Sequence, residues 1–283
     1  MRIMTFDIEE WFHILENGPT DSEDSWKSFE VRIHSNVDRI LDILDESGSK
    51  ATFFIIGWIA RNYPEVVRKI AARYEVASHT DGHRLVSGCT PDAFREDIRR
   101  SVATLEDITG QKVRIFRAPG FSIGENELWA FDILAGEGIE TDCSVFPKKH
   151  AHGGMPSFPS HTPCIISHGG ISLKEFPMPT VRALGRDIVF SGGGYFRMWP
   201  YPLLRKWTEN VPDDYLLSYI HPRDLDKGQP VIPGISLKRR IKSRWGIASA
   251  EAKLRRYMKE FSFTDIRDAE DSIDWSSVQN VRL

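Results

Sequence analysis

The sequence has few cysteines, no long apolar run and almost no net charge. Its 283 residues include only three cysteines, Cys89, Cys143 and Cys164. The number is odd and the spacing matches no metal or disulfide motif, which excludes a disulfide framework and predicts free thiols. Nowhere do apolar residues run to the roughly 18 that a membrane-spanning helix needs. The opening segment MRIMTFDIEEWF is interrupted by Asp7, Glu9 and Glu10, so it does not read as a signal peptide. These two absences predict a cytoplasmic protein. A formal net charge of −3 supplies no whole-chain field for nucleic acid, so none is expected as a partner. What is present suits a globular chain: 41% of residues are hydrophobic, enough for a sizeable core.

Along the chain, short apolar β-prone runs alternate with segments of helical period. Residues 3–8, 51–57, 74–78, 113–116 and 216–220 read as strands; 31–47, 64–73, 90–109, 125–136 and 248–260 read as helices. Residues 16–27 are polar and read as a loop, and 148–170, rich in His, Pro, Ser and Gly, as one long functional loop. Repeated strand-to-helix units predict a parallel α/β fold, a barrel or a doubly wound sheet. No linker interrupts the pattern, so a single catalytic domain over 1–283, with a C-terminal helical extension, is expected.

Four strand ends carry chemistry. Asp7 and Glu9 are two apart at the end of the first strand, on one face, where one carboxylate suits a metal and the other a proton. His79 and His83 follow a short strand at a spacing that lets two imidazoles share one ion. Arg117, in Arg-Ala-Pro-Gly, is placed to pair with a carboxylate, and the Pro-Gly turn to aim backbone N–H groups at an oxyanion. His221, before Pro222, is placed to act as a general acid. Each signal alone has a plain structural reading, as a solvated acid, a surface histidine or an ordinary turn. Together they supply a base, metal ligands, an orienting cation and an acid.

The order Thr-Phe-Asp, His-x-x-x-His, Arg-x-Pro and His-Pro resembles the polysaccharide deacetylase family, the carbohydrate esterase group that includes chitin, peptidoglycan and nodulation-factor deacetylases. The resemblance covers about residues 1–226, and further details resemble a bacterial subgroup linked to exopolysaccharide and lipopolysaccharide synthesis. It implies a distorted (β/α) barrel of about seven parallel strands. It also implies Asp7 as catalytic base, Arg117 as the residue that orients it, His221 as general acid, and Gly120 as an oxyanion-stabilising backbone N–H. His79 and His83 match the two histidine ligands of a divalent metal, most simply Zn²⁺. Many members have a second aspartate after the base; here Ile8 stands in its place, so the acidic ligand is Glu9 or Glu10, and the shared-face argument favours Glu9.

The implied activity is hydrolysis of an N-acyl group, acetyl first, from an amino sugar in a polysaccharide or lipid-linked oligosaccharide precursor. Two other classes compete: an inactive relative that binds glycan or a partner, and a hydrolase of a non-sugar amide. Tyr195 and Trp199 read either as a wall on which a sugar ring stacks or as ordinary packing. Asp142 reads as an orienting acid or a structural cap, and Asp224 as a partner of His221 or a solvated acid. The basic run 238–244 reads as a membrane or diphosphate contact or as a solvated face.

Overall fold

Strand β1 (Arg2–Ile8) forms where the apolar run predicts it, with all but its first residue buried. The structure, a computed structural model, describes residues 1–20, 22–183 and 185–283. The polar stretch 16–27, whose position 21 lies outside the described residues, is more ordered than a plain loop. It holds a 3-10 turn at Gly18–Thr20 and one turn of helix, α1 (Glu23–Trp26), whose cap Ser22 accepts the Ser25 N–H. Helix α2 (Ile33–Ser47) buries Val37, Ile40, Leu41 and Leu44 along one side and stops at Gly48, which takes the left-handed conformation. Then come β2 (Thr52–Ile55), α3 (Gly57–Asn62), α4 (Pro64–Ala71), β3 (Glu75–Ser78) and α5 (Pro91–Thr109). Helix α5 starts with Thr90 as cap and Pro91 in its first turn, as the dipeptide predicts. Next are β4 (Ile115–Phe116), α6 (Trp129–Gly136) and β5 (Thr141–Asp142).

The segment 148–170 is not one long loop. Its last part is β6 (Cys164–His168), which turns through Gly169 and Gly170 into the antiparallel β7 (Ile171–Glu175). Both glycines have positive φ, 53° and 90°, as a two-residue hairpin requires. A polar, His-rich composition hid a Gly-Gly hairpin signal. A second hairpin follows, β8 (Val181–Ala183) with β9 (Arg186–Ile188). The remaining elements are α7 (Gly193–Met198), α8 (Tyr201–Glu209), β10 (Leu216–Ile220), α9 (Leu237–Arg244), α10 (Ile247–Glu260), α11 (Ile266–Asp271) and β11 (Asn280–Arg282).

The chain forms two compact units, Met1–Thr52 with Thr180–Ile266, and Phe53–Pro179 with Arg267–Leu283. In the first, β1 runs parallel to β10 with Thr5 opposite Tyr219 and Phe6 opposite Ile220, so the two strands end together. Helix α10 packs on α2, and the Thr264 backbone beyond it bonds to Arg2 and Met4 of β1. In the second, the sheet order is β2-β3-β4-β5-β7-β6-β11. The ladders β3–β4, β4–β5, β5–β7 and β6–β11 are parallel, and β6–β7 is antiparallel. This is the expected mostly parallel α/β architecture, with an open rather than closed ladder in this unit. Its core of Phe53, Phe54, Ile59, Phe94, Ile98, Phe116, Phe131 and Leu134 is fully buried, each side chain contributing roughly 1.5–3 kcal/mol of transfer free energy. All three cysteines are free thiols, as their spacing predicts.

Candidate active site

In the first unit the common end of β1 and β10 gathers Asp7, Glu9 and His221. The His221 Nε2 lies 3.9 Å from an Asp7 carboxylate oxygen and 3.6 Å from one of Glu9, so the two acids do share a face. On the ring's other side, Nδ1 lies 2.9 Å from Asp224 Oδ2, and the His221 backbone N–H donates to the same oxygen at 3.0 Å. Asp224 is in turn paired with the buried Arg197 at 2.8 Å. Of its two readings, Asp224 is therefore the imidazole's partner. Burial works against the Asp224 carboxylate, but Arg197, His221 and Arg223 together hold it well below the usual carboxylate range. For His221 burial disfavours the cation, yet Glu9 and Asp224 outweigh it and raise the imidazole pKa above its ordinary value. A histidine held toward its protonated form with Nε2 facing the carboxylates is equipped to give a proton there.

The glycines at the start of α7 fit against the rings of Tyr219 and His221. A side chain on Gly192 would overlap the Tyr219 ring, and a Cβ on Gly193 would sit 3.4 Å from His221 Cε1. Tyr195, on α7, is half-buried. Trp199, four residues on, packs edge-on against Trp207 at 5.0 Å between ring centroids.

Glu10 has a different task. Its Oε1 accepts the N–H groups of Arg32 at 2.6 Å and Ile33 at 2.7 Å, and its Oε2 that of Trp11 at 3.3 Å. It caps the start of α2, where Arg32 supplies no side-chain cap of its own. Glu9 is thus the acid that faces His221, with Arg223 Nη2 at 3.5 Å from its other oxygen.

In the second unit His79 follows β3 directly, and His83 closes a tight turn. The His79 Nδ1 lies 2.8 Å from the Arg117 carbonyl oxygen. A carbonyl only accepts, so Nδ1 carries the proton and Nε2 keeps its lone pair for a metal. The two rings are 5.4 Å apart between centroids. The turn is held in an uncommon conformation, with φ of 64° at Thr80 and 52° at His83, which costs roughly 1–3 kcal/mol per residue. Asp97 of α5 offsets that cost by accepting the Asp81 N–H at 2.6 Å and the Gly82 N–H at 3.0 Å. The Thr80 and Asp81 carbonyls accept the N–H groups of Gly57 and Trp58. The buried Asp81 carboxylate pairs with Arg61 and, at 2.6 Å, with Arg100.

Arg117 is fully buried, its guanidinium 4.1 Å from the Phe54 ring centre and its Nε donating to the Cys143 carbonyl. The next residue, Ala118, donates its N–H to Ser144 Oγ at 2.8 Å, and that hydroxyl donates to Asp142 at 2.6 Å. Asp142 therefore orients Ser144 and, through it, braces the chain between Arg117 and Gly120. Gly120 has φ of 60° in the turn Pro119–Phe121. Behind Asp142 lies Glu175, whose carboxyl accepts the Val145 N–H at 3.1 Å. Burial, then the charge of Asp142, pushes the Glu175 carboxyl well above the usual range, so this acid pair shares a proton. Sequence reasoning missed Asp97, Ser144, Glu175, Arg197 and Arg223. Ser144, Arg197 and Arg223 lie within stretches the sequence singles out, but the contacts that give them a role, with Ala118, Asp224 and Glu9, join residues far apart in the chain, as do those of Asp97 and Glu175.

Residues 17–131 match the polysaccharide deacetylase family model, and residues 143–270 match a domain of unknown function, DUF3473. The first match contains His79, His83, Arg117 and Gly120; the second contains Tyr195, Trp199 and His221. The chain is 30% identical over 146 residues to a chitooligosaccharide deacetylase of Bradyrhizobium sp., covering 50% of this chain and 64% of the relative. It is 28% identical over 117 residues to a peptidoglycan-N-acetylglucosamine deacetylase of Bacillus cereus, covering 37% of this chain and 42% of the relative. The chain thus spans less than two thirds of the length of either. Among solved structures, a Mycobacterium smegmatis protein assigned to the polysaccharide deacetylases superposes with a TM-score of 0.67 at 18% identity, covering 99% of this chain and 92% of that one, which shows a shared fold. The motifs and the family match agree that residues 17–131 are similar to the polysaccharide deacetylase family, and the superposition shows that the chain shares the fold of one such protein.

Proposed function

We propose that the protein is a metal-dependent hydrolase that removes an N-acyl group, acetyl first, from an amino sugar. The observation that carries the reading is the setting of His221: Nδ1 anchored on Asp224, Nε2 facing Asp7 and Glu9, and an imidazole pKa that Glu9 and Asp224 raise against burial. This is the arrangement a general acid needs beside a base and an acidic ligand. The names of the relatives, a chitooligosaccharide deacetylase and a peptidoglycan-N-acetylglucosamine deacetylase, support the substrate class.

The ligands we assign are Glu9, His79 and His83. The donor set fits: two imidazole nitrogens, one with its tautomer fixed by the Arg117 carbonyl, and one buried carboxylate suit Zn²⁺. A bound divalent ion would polarise the amide carbonyl and lower the pKa of a water from 15.7 toward about 7. Asp7 takes the proton from the attacking water, with Arg117 orienting its carboxylate. The Gly120 N–H stabilises the developing oxyanion. His221 gives its proton to the departing sugar amine, and Asp224 stabilises the imidazolium beforehand. Tyr195 and Trp199 line the sugar. We place the substrate among glycans under construction on lipid carriers and sugar nucleotides in the cytoplasm, in surface-polysaccharide synthesis, as the subgroup resemblance implies.

Acetate release from N-acetylglucosamine oligomers and from an N-acetylated sugar nucleotide tests the reading. The wild type should release acetate, and Asp7→Asn and His221→Gln should each lose roughly 10²–10⁴-fold while keeping the wild-type circular dichroism spectrum. Undiminished release by His221→Gln would remove it from the reaction.

A further inference from the structure

Helix α9 presents an apolar row to solvent. Leu237 is 71% exposed, Ile241 54% and Trp245 59%, while no residue of the helix is buried. Their four-residue spacing puts them on one side. The segment LKRRIKSRW carries five Lys or Arg and no acid. At the helical period, Lys238 and Lys242 flank the apolar row on one side, and Arg240 and Arg244 flank it on the other. Among the described residues, neither Lys238, Arg240 nor Lys242 pairs with a carboxylate.

Helix α9 is fastened through backbone carbonyls, by Arg239 and Ser243 on its opposite side and by Arg244 at one edge of the row. Arg239 donates to Leu15 O at 2.6 Å and Glu16 O at 3.2 Å, and Arg244 to Gln229 O at 3.1 Å. Arg197 donates to Ser243 O at 2.9 Å and Trp245 O at 2.8 Å. Lys238, Arg240 and Lys242 are therefore not spent on holding the helix, whereas Arg244 is. Large apolar side chains left in water cost free energy, and unpaired like charges repel. A second copy of this chain would cover the row but would set cations against cations. A surface with fixed anions around an apolar layer satisfies both at once.

We infer that α9 and Trp245 form a peripheral anchor for an anionic phospholipid bilayer. Leu237, Ile241 and Trp245 enter the headgroup region, and Lys238, Arg240 and Lys242 meet lipid phosphates. Arg197 bonds to the end of α9 and also pairs with Asp224, the partner of His221, so the anchor and the general acid share one guanidinium. Docking itself stands apart from the deacetylase reading. Only its consequence, a lipid-linked glycan delivered beside His221, rests on it.

Sedimentation of the full chain with phosphatidylcholine vesicles, with and without phosphatidylglycerol, tests the anchor. Binding is expected only with phosphatidylglycerol and should fall as salt rises. Lys238→Gln with Lys242→Gln should lower partitioning roughly 30-fold, at about 1 kcal/mol for each charge removed. Leu237→Ser with Ile241→Ser should abolish the binding that remains at high salt. Both double variants should release acetate from a soluble N-acetyl oligosaccharide as the wild type does. Loss of acetate release with vesicle binding intact would count against the deacetylase reading alone. Equal binding to both vesicles, binding to neither, partitioning unchanged in both double variants, or tighter binding to a DNA duplex than to anionic vesicles would overturn the anchor.

Discussion

Glu10 gives its carboxylate to backbone N–H groups at the start of α2, whereas Glu9 faces His221 and Arg223. Glu9→Gln should therefore weaken zinc binding more than tenfold with little loss of stability, since its partners are site groups. Glu10→Gln should leave zinc affinity unchanged and cost about 1–3 kcal/mol by disturbing a buried cap. Zinc titration and thermal unfolding of the two variants separate these effects, and zinc loss in Glu10→Gln would reverse the assignment. This part of the site was legible in the sequence, because alternation alone places Asp7 and Glu9 on one side. The capping role of Glu10 was not, because its partners lie more than twenty residues away. The Asp142–Glu175 pair makes a second residue-scale prediction. With its folded pKa raised, Glu175 contributes stability that is full below the ordinary carboxylate pKa and is lost as pH rises toward the folded value. Glu175→Gln mimics the protonated form. Relative to wild type it should gain stability steadily from about pH 5 to pH 8 in thermal melts. A constant difference across that range would show that Glu175 is not the protonated partner.

At the scale of elements, the histidine turn depends on helix α5. Asp97 holds two consecutive N–H groups of a turn whose own backbone is strained. Asp97→Ala should lower zinc affinity roughly 10–100-fold, the range for removing a ligand's support, and speed amide exchange at Asp81 and Gly82. Asp97→Asn, which keeps one oxygen to accept, should restore part of the affinity. Normal affinity with fast exchange would show that the turn needs no brace. Helices α2 and α5 were readable from period and caps, since Gly48, Thr90 and Pro91 mark their ends. The β6–β7 hairpin was not, because the polar residues of 148–170 outweighed the Gly-Gly signal between its two strands. Helix α7 was read only as a Gly-aromatic stretch. Its glycines fit against the rings of Tyr219 and His221, which no local pattern reveals.

Along the chain, the chemistry stands at the ends of parallel strands: Asp7 at the end of β1 and Glu9 just past it, His79 after β3, Arg117 after β4 and His221 after β10. That placement was legible because each residue stands at or just past the end of a short apolar run. The braces Asp97, Ser144 and Arg197 were not, because hydrogen bonding across long sequence separations leaves no periodic trace. The proposed reaction needs one divalent ion, for which we assign Glu9, His79 and His83 as ligands. Its most direct test is to strip the protein with a chelator, titrate Zn²⁺ back, and follow acetate release from an N-acetylated oligosaccharide. Release should be absent at the start, rise linearly with added Zn²⁺ and level off at about one equivalent per chain in the wild type, with no such rise in His79→Ala or Glu9→Gln. Full release by the stripped protein, or the same titration curve in those variants, would contradict it.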